Sequence, residues 1–484
     1  MELDRERCYE ALRTRDRRFD GRFFTAVVTT GVYCRPICPA RLPLLRNVRF
    51  YPCAAAAEAA GFRACRRCRP ETAPGTPAWL GTSAVVSRGL RLIESGALDD
   101  GDVGRLALRL GVGARQLRRL FARHLGASPA EIARARRVHF ARLLVDQTER
   151  PMAELAFAAG FASVRQFNHA FRQSFGRSPR EVRRRSVGAK RAPGETLALR
   201  LPYRPPFDWN GVAAYLAGRA IAGVEWVGDG CYRRTVELGG APGFLEVRPL
   251  ARDFALELRV GPAAGAELLR AVERVRRIFD LDADPLAIAD ALGAHAALQP
   301  HLRARGGLRV PGAWDAFELG VRAIFGQQVS VRGASTLAAR LVRAFGKPLE
   351  GAPEGLTHLF PTPAQLAVAD VASIGLPRAR GAAIRGFARA LADGELVLDG
   401  ARGLDETVER LAALPGIGGW TAQYIALRAL GEPDAFPAGD LGLRKALAAG
   451  GGAPLSSAQA ERAAQAFRPW RSYAAIALWR SLAA

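Results

Sequence analysis

Hydrophobic and polar positions follow different rhythms in different parts of this chain. Residues 83–185 show Leu/Ala/Arg periodicity with few breakers, the signature of amphipathic helices. Between 196 and 310 the pattern shortens to alternating runs such as Thr235-Val236-Glu237-Leu238 and Phe254-Ala255-Leu256-Glu257-Leu258, with a helical stretch near 263–279. Strands beside a helix predict an α+β unit. From Trp314 onward the helical period returns, punctuated by Gly/Pro turns. Residues 1–70 carry a cysteine cluster and lead into Glu71-Thr72-Ala73-Pro74-Gly75-Thr76-Pro77, which reads as a linker, as does 188–195. Four units are expected, at 1–72, 83–186, 195–310 and 311–484, which suits 484 residues.

Charge changes the picture for the front of the chain. The 70 Lys and Arg outnumber the 46 Asp and Glu, a formal charge of +24. Residues 1–200 hold 38 basic and 18 acidic side chains, and the other 284 hold 32 and 28. Such asymmetry points to a polyanion, nucleic acid before a membrane surface. An Arg-rich composition inherited from a GC-rich genome is the bland alternative. No stretch approaches the roughly 18 uncharged apolar residues of a membrane span. Residues 1–22 are too charged for a signal peptide, so a cytoplasmic, nucleoid-associated bacterial protein is expected.

The helical segment 83–185 repeats itself. Leu117, Phe121, Gly126, Ser128, Pro129 and Glu131 recur as Phe167, Phe171, Gly176, Ser178, Pro179 and Glu181, and Leu106-Ala107 with Gly111 recurs as Leu155-Ala156 with Gly160. Each unit reads helix, Gly turn, Arg-studded helix, the helix-turn-helix pattern. The pair resembles the AraC-type DNA-binding domain. The resemblance implies that helices near 113–122 and 163–172 enter major grooves, with Arg115, Arg118, Arg165 and Gln166 facing promoter DNA and RNA polymerase as a further partner.

Six of the seven cysteines precede residue 70. Cys34-Arg-Pro-Ile-Cys38 and Cys65-Arg-Arg-Cys68 are two thiolate pairs at zinc-ligand spacing, and spacing alone favours a purely structural Zn2+. Their surroundings add chemistry. Thr29-Thr30-Gly31-Val32-Tyr33-Cys34-Arg35-Pro36, Asn47-Val48-Arg49-Phe50-Tyr51 and Ala60-Gly61-Phe62-Arg63-Ala64-Cys65 closely resemble the Ada-type methylphosphotriester-repair domain. That likeness implies one Zn2+ held by Cys34, Cys38, Cys65 and Cys68, with Cys34 also the methyl acceptor. Cys8, Cys53 and Cys231 match no ligand position and are expected to be packed.

The last unit holds Leu414-Pro415-Gly416-Ile417-Gly418-Gly419-Trp420-Thr421-Ala422, followed by Phe436-Pro-Ala-Gly-Asp440. A Gly-x-Gly turn before a helix exposes amides that can grip a phosphate, yet alone it is only a loop. With the Gly-Asp some twenty residues on, it resembles the helix-hairpin-helix DNA glycosylases. Pro205-Pro206-Phe207-Asp208-Trp209, Ile278-Phe279-Asp280-Leu281, Phe317 to Ser330 and Arg468-Pro469-Trp470-Arg471-Ser472-Tyr473 extend the likeness to the 3-methyladenine DNA glycosylase II family over about 196–484. The resemblance implies a TBP-like α+β domain before an all-α hairpin domain, with Asp440 as catalytic carboxylate. DNA contacts are implied at Gly416, Gly418, Thr421 and Gln328, the last where some relatives carry an apolar wedge, and a monovalent cation at the hairpin carbonyls. An aromatic pocket for a cationic methylated purine falls on Trp420, Tyr424, Trp479 and Tyr215. Trp420 stands where bifunctional relatives place a Lys, and no Cys follows Cys231 for an iron–sulfur cluster, so a monofunctional hydrolase is expected.

The reading is thus an alkylation-damage regulator, with a stoichiometric methyl acceptor, joined to an alkylbase glycosylase acting on double-stranded DNA. Its rival is a transcription regulator with structural zinc and a catalytically silent glycosylase-like DNA-binding domain.

Overall fold

The computed structural model describes residues 3–74, 84–99, 102–185, 197–261, 267–295, 298, 299, 302, 306–448 and 452–482. The expected linker segments 75–77 and 188–195 lie outside the described residues.

The cysteine-bearing front end is a small sheet between two helices, α1 (Arg5–Thr14) and α2 (Ala54–Ala59). Its strands, β1 (Phe24–Val27), β2 (Val32–Cys34), β3 (Val48–Tyr51) and β4 (Arg63–Ala64), lie in the order β3-β1-β2-β4. Only the β2–β4 pair is parallel, Tyr33 standing opposite Ala64. That pairing sets the residues after β2 beside those after β4, bringing two Cys pairs 31 positions apart into one place.

The helical segment forms α3 (Ala84–Glu94), α4 (Val103–Arg109), α5 (Ala114–Leu125), α6 (Pro129–Gln147), α7 (Met152–Ala158), α8 (Val164–Phe175) and α9 (Pro179–Arg185). The sequence repeat is a repeat of stop and start signals. Gly126 and Gly176 end α5 and α8 at φ of +68° and +65°, a conformation glycine adopts without steric cost. Ser128 and Ser178 then cap the next helices, trading hydrogen bonds with Glu131 and Glu181.

Strands β5 (Leu197–Pro202), β6 (Glu225–Gly228), β7 (Cys231–Leu238), β8 (Ala241–Leu250) and β9 (Ala255–Val260) build a second, wholly antiparallel sheet ordered β5-β9-β8-β7-β6. Helices α10 (Trp209–Ala217), α11 (Leu268–Ile278) and α12 (Pro285–Leu292) complete this α+β unit. The rest is helical. Buried ion pairs fasten the sheet to helix Ala316–Phe325: Arg234 to Glu318 at 2.7 Å and Arg322 to Glu225 at 2.8 Å.

The cores run across the sequence segments. Tyr33, Ala57 and Ala64 of the front end share one apolar cluster with Val138 and Ala141 of α6, Phe171 and Phe175 of α8, and Leu199 and Leu258 of the second sheet. A polar lock sits at the same junction. The Glu58 carboxylate accepts from Tyr33 at 2.8 Å and meets the His139 ring nitrogen at 3.1 Å. Arg91 of α3 reaches the last unit, donating to the Leu430 carbonyl at 2.7 Å and pairing with Glu432 at 2.6 Å.

Cys8, Cys53 and Cys231 are buried as expected, and burial pushes the Cys8 and Cys53 thiols up to about 11.

Candidate functional site

Two sites stand apart in the molecule. In the first, the four sulfurs of Cys34, Cys38, Cys65 and Cys68 lie within 4.8 Å of one another. Tetrahedral Zn–S bonds of about 2.3 Å require S···S separations of roughly 3.8 Å, so the donor set fits Zn2+. The Cys65 amide donates to the Tyr33 carbonyl at 2.9 Å, a continuation of the β2–β4 pairing that fixes one knuckle against the other. The Arg35 amide donates to the Cys68 sulfur at 3.3 Å, and its guanidinium is tied to Asp20 and the Cys68 carbonyl. Arg41, Arg46, Arg49, Arg63, Arg66 and Arg67 of the same front end are exposed. Cys34 itself is 7% exposed. With Zn2+ bound, the four thiols are held as thiolates at neutral pH.

Helices α5 and α8 are amphipathic, as their pattern requires. Leu117 and Phe121 of α5, with Phe167 and Phe171 of α8, are buried, while Arg115, Arg118, Arg165 and Gln166 are exposed on the opposite faces. The Gln166 side chain also accepts from the Ala162 amide at 3.3 Å, so part of its polarity goes into holding the turn.

The second site is built around a hairpin between helices Leu404–Ala412 and Gly419–Arg428. Gly416 turns at φ +83°, and a Cβ there would come 2.5 Å from the Cβ of Ala383. Gly416, Gly418 and Gly419 are exposed, with open space around a Cβ at Gly418 and Gly419, leaving backbone free to approach a phosphate. Thr421 corrects the sequence expectation: its side chain is 2% exposed, so it cannot face DNA. Its hydroxyl accepts from Gln327 at 3.0 Å, and the same Gln327 amide donates to the Gly416 carbonyl at 2.8 Å. Gln327, absent from the expected site, therefore braces the hairpin. Gln328 beside it is exposed at φ +55°, a backbone conformation uncommon outside glycine.

Asp440 lies at the start of helix Leu441–Ala446 and accepts three N–H groups: the Leu443 amide at 3.0 Å, the Trp479 indole at 2.9 Å and the Trp420 indole at 3.1 Å. Three donors from three separate places fix where the carboxylate oxygens point. Both tryptophans thus have a role the sequence did not reveal, since each aims the carboxylate as well as walling the cage. Trp420 stacks on Tyr424, one turn along the same helix, at 5.4 Å and 11°, and Trp479 meets Tyr424 edge-on at 6.1 Å. Tyr215 does not join that wall. The Arg219 guanidinium covers its ring at 3.7 Å, Arg428 lies 4.8 Å from the ring centroid, and its hydroxyl accepts from Arg428 at 3.0 Å. With its face taken, Tyr215 backs the cage instead of stacking on a base. An aromatic cage above a fixed carboxylate can receive an extruded cationic base and stabilise positive charge on its sugar.

Replacing Trp479 with Phe keeps the ring and deletes one donor to Asp440. Base excision should fall about tenfold, the scale of one hydrogen bond to a charged group, with DNA affinity unchanged. Single-turnover excision alongside a DNA titration checks this; an unchanged rate would remove Trp479 from the carboxylate's support.

A helix-hairpin-helix glycosylase fold with an aspartate in its cage, preceded by a four-cysteine zinc domain and a paired helix-turn-helix, defines the class. The sequence matches the metal binding domain of Ada over residues 7–71, a helix-turn-helix domain over 106–185, the AlkA N-terminal domain over 198–315, and the HhH-GPD superfamily of base excision DNA repair proteins over 321–471. The chain belongs to the family of the bifunctional transcriptional activator/DNA repair enzyme AlkA. It is 46% identical to the probable bifunctional transcriptional activator/DNA repair enzyme AlkA of Mycobacterium tuberculosis, over 100% of this chain and 97% of the relative. DNA-3-methyladenine glycosylase 2 of Escherichia coli is 36% identical over 58% of this chain and 95% of its own length. The bifunctional transcriptional activator/DNA repair enzyme Ada of Escherichia coli is 49% identical over 15% of this chain and 20% of its own. No helix among the described residues is long and apolar enough to cross a membrane.

Proposed function

We propose that this protein senses and repairs DNA alkylation at two separate sites. The observation that carries the reading for the back half is Asp440, held by Trp420 and Trp479 at the mouth of an aromatic cage beside the hairpin. A methylated purine, 3-methyladenine above all, stacks in the cage. The bond between C1′ and the base nitrogen breaks, the electron pair leaves with the base, and the Asp440 charge stabilises the oxocarbenium-like sugar. Water adds to C1′ and gives up a proton, leaving an abasic site. DNA is gripped through the Gly416 and Gly418 backbone, with Gln328 at the extruded base's place.

In the front half the Cys34 thiolate attacks the methyl carbon of a methylphosphotriester. A C–S bond forms, the C–O bond breaks, and the phosphate leaves as an ordinary diester. The S-methyl thioether is not turned back into a thiolate, so each chain acts once. With Zn2+ held by Cys34, Cys38, Cys65 and Cys68 as thiolates the core would carry a formal charge of −2, and −1 once Cys34 is methylated. Less repulsion from DNA strengthens promoter binding through α5 and α8, which recruits RNA polymerase. The units at 1–72, 83–186, 195–310 and 311–484 divide this work, in the bacterial cytoplasm.

The switch is tested by titrating promoter DNA with methylated and unmethylated protein at one salt concentration. Methylated protein should bind several-fold tighter, with a shallower loss on added salt for the unmethylated form. Equal affinities would deprive the switch of its electrostatic basis.

A further inference from the structure

We propose that Gln327 is a positioning residue for base extrusion: it locks the turn that carries Gln328 onto the hairpin, so that one joint sets both the phosphate grip and the place of the extruded base. The inference rests on the glycosylase reading of Asp440 and on the place that reading gives Gln328. It adds how that place is held.

Two adjacent glutamines face different ways, one onto the hairpin and the other into solvent. They fill the turn between helices Ala316–Phe325 and Val331–Phe345. The turn opens at Gly326 and closes at Ser330, whose hydroxyl accepts from the Gly333 amide at 3.1 Å. Gln328 is exposed and left-handed at φ +55°, and such a backbone persists only where its surroundings over-determine it. The constraint comes from Gln327, which is tied through side chain and backbone alike.

The Gln327 carboxamide places its two hydrogens on the Gly416 carbonyl at 2.8 Å and the Thr421 hydroxyl at 3.0 Å. A carbonyl only accepts, so chemistry alone fixes which end of the amide faces Gly416. The Gln327 carbonyl in turn accepts from the Arg380 guanidinium at 2.9 Å. Arg380 belongs to helix Arg378–Ala392, and Ala383, one turn further along it, is the residue Gly416 lies against. One helix thus carries the turn at one position and the hairpin at the next, and Gln327 closes the triangle. Gly326 brings the same turn to the cage, since a Cβ there would stand 3.8 Å from the Trp420 ring.

The hairpin is the better anchored partner. Ile417 is 3% exposed and Thr421 is buried as well, so packing holds the hairpin whether or not Gln327 bonds to it. The turn is less well anchored: Gln328 and Ser330 are exposed, and Gln327 and Val329 only half-buried. The two side-chain bonds of Gln327 therefore order the turn more than the hairpin. What they supply is register. A phosphate seated on the Gly416 and Gly418 backbone and a base leaving the stack at Gln328 are kept at one separation, and misplacement at a reacting site is costly in rate.

The experiment uses the full zinc-loaded chain. Gln327→Met keeps the length of the side chain and loses both donors, and Gln328→Ala trims an exposed one. Extrusion is read on a duplex holding one 2′-fluoro-7-methylguanine, a cationic base whose glycosidic bond resists cleavage, beside 2-aminopurine, which brightens as it unstacks. Single-turnover release of 3-methyladenine from methylated DNA and affinity for an undamaged duplex are measured alongside. Gln327→Met should lose most of the fluorescence rise and release base about tenfold more slowly at saturating protein, the scale of two lost hydrogen bonds. Its affinity for undamaged DNA should stay within about twofold of wild type, less than one hydrogen bond's worth. Gln328→Ala should show the same pattern, and the double variant should be no slower than the slower single one, because both act through one turn. Losses that multiply in the double variant overturn the proposal, as does a normal fluorescence rise in Gln327→Met. So does a fall in affinity for undamaged DNA as large as the fall in rate, which would make Gln327 a support of the hairpin alone. Failure of wild type to release any base would instead refute the glycosylase reading, and the fluorescence titration would still decide the role of Gln327.

Discussion

Asp440→Asn should cut base excision by at least about 100-fold, the usual cost of removing one electrostatic contact to a charged transition state. The substitution keeps the size of the side chain and an oxygen to cap helix Leu441–Ala446, so folding is spared. It removes the charge that two indole N–H groups and a backbone amide hold in place. An amide presents only one acceptor oxygen, so one indole loses its partner and the cage loosens as well. DNA affinity should hardly change, because the exposed glycines of the hairpin and its Gln327 brace are untouched. Single-turnover excision on alkylated DNA, with binding measured in parallel, gives both numbers. A variant that excises at the wild-type rate would take the carboxylate out of the chemistry.

The second large effect concerns the metal. Cys65→Ser should abolish zinc binding and unfold the front end, since structural zinc contributes about 10–16 kcal/mol of apparent binding energy in small domains. The damage should spread further than in an isolated zinc domain. Tyr33, Ala57 and Ala64 pack in the same cluster as Phe171 and Phe175 of α8, and Glu58 bonds both Tyr33 and His139 of α6. Loss of the β2–β4 knuckle therefore loosens α8 too. Metal analysis and hydrogen exchange test this together: zinc should be lost, and protection should fall over residues 3–74 and in α8. Retained protection without zinc would show that apolar packing alone holds the domain. Tyr424 and Trp479 of the Asp440 cage pack against two other apolar clusters, so excision should persist within a few-fold.

What the sequence disclosed and what it hid differ in kind. Local chemistry was legible. Paired cysteines, a helix repeat with Gly stops and Ser-Pro starts, and a hairpin followed by Gly-Asp each lie within a few tens of residues, where spacing is geometry. Partnerships across long separations were not. Arg428 joins Tyr215 and Tyr424, two residues 209 positions apart in the chain, and no periodicity announces it. The indole donors to Asp440 come from 20 and 39 residues away on separate helices. Thr421 misled because its place in the hairpin motif suggested the DNA side, whereas the helix turns its side chain inward onto Gln327. Tyr215 misled differently: its ring is where an aromatic was expected, but two guanidiniums occupy the space a base would need. The docking of the front end onto α6, α8 and the second sheet follows from side chains that each segment's own pattern marks only as buried.

The central claim is that one chain carries two independent repair chemistries, an irreversible methyl transfer at Cys34 and a catalytic base release at Asp440. The most direct test follows both reactions in one sample of methylated DNA, for wild type, Asp440→Asn and Cys34→Ser. Wild type should acquire one methyl group per chain while releasing base over many turnovers. Asp440→Asn should still take up its methyl group and release almost no base, and Cys34→Ser should release base and take up none. If either substitution abolishes both reactions, or Cys34→Ser still gains a methyl group, the account is contradicted.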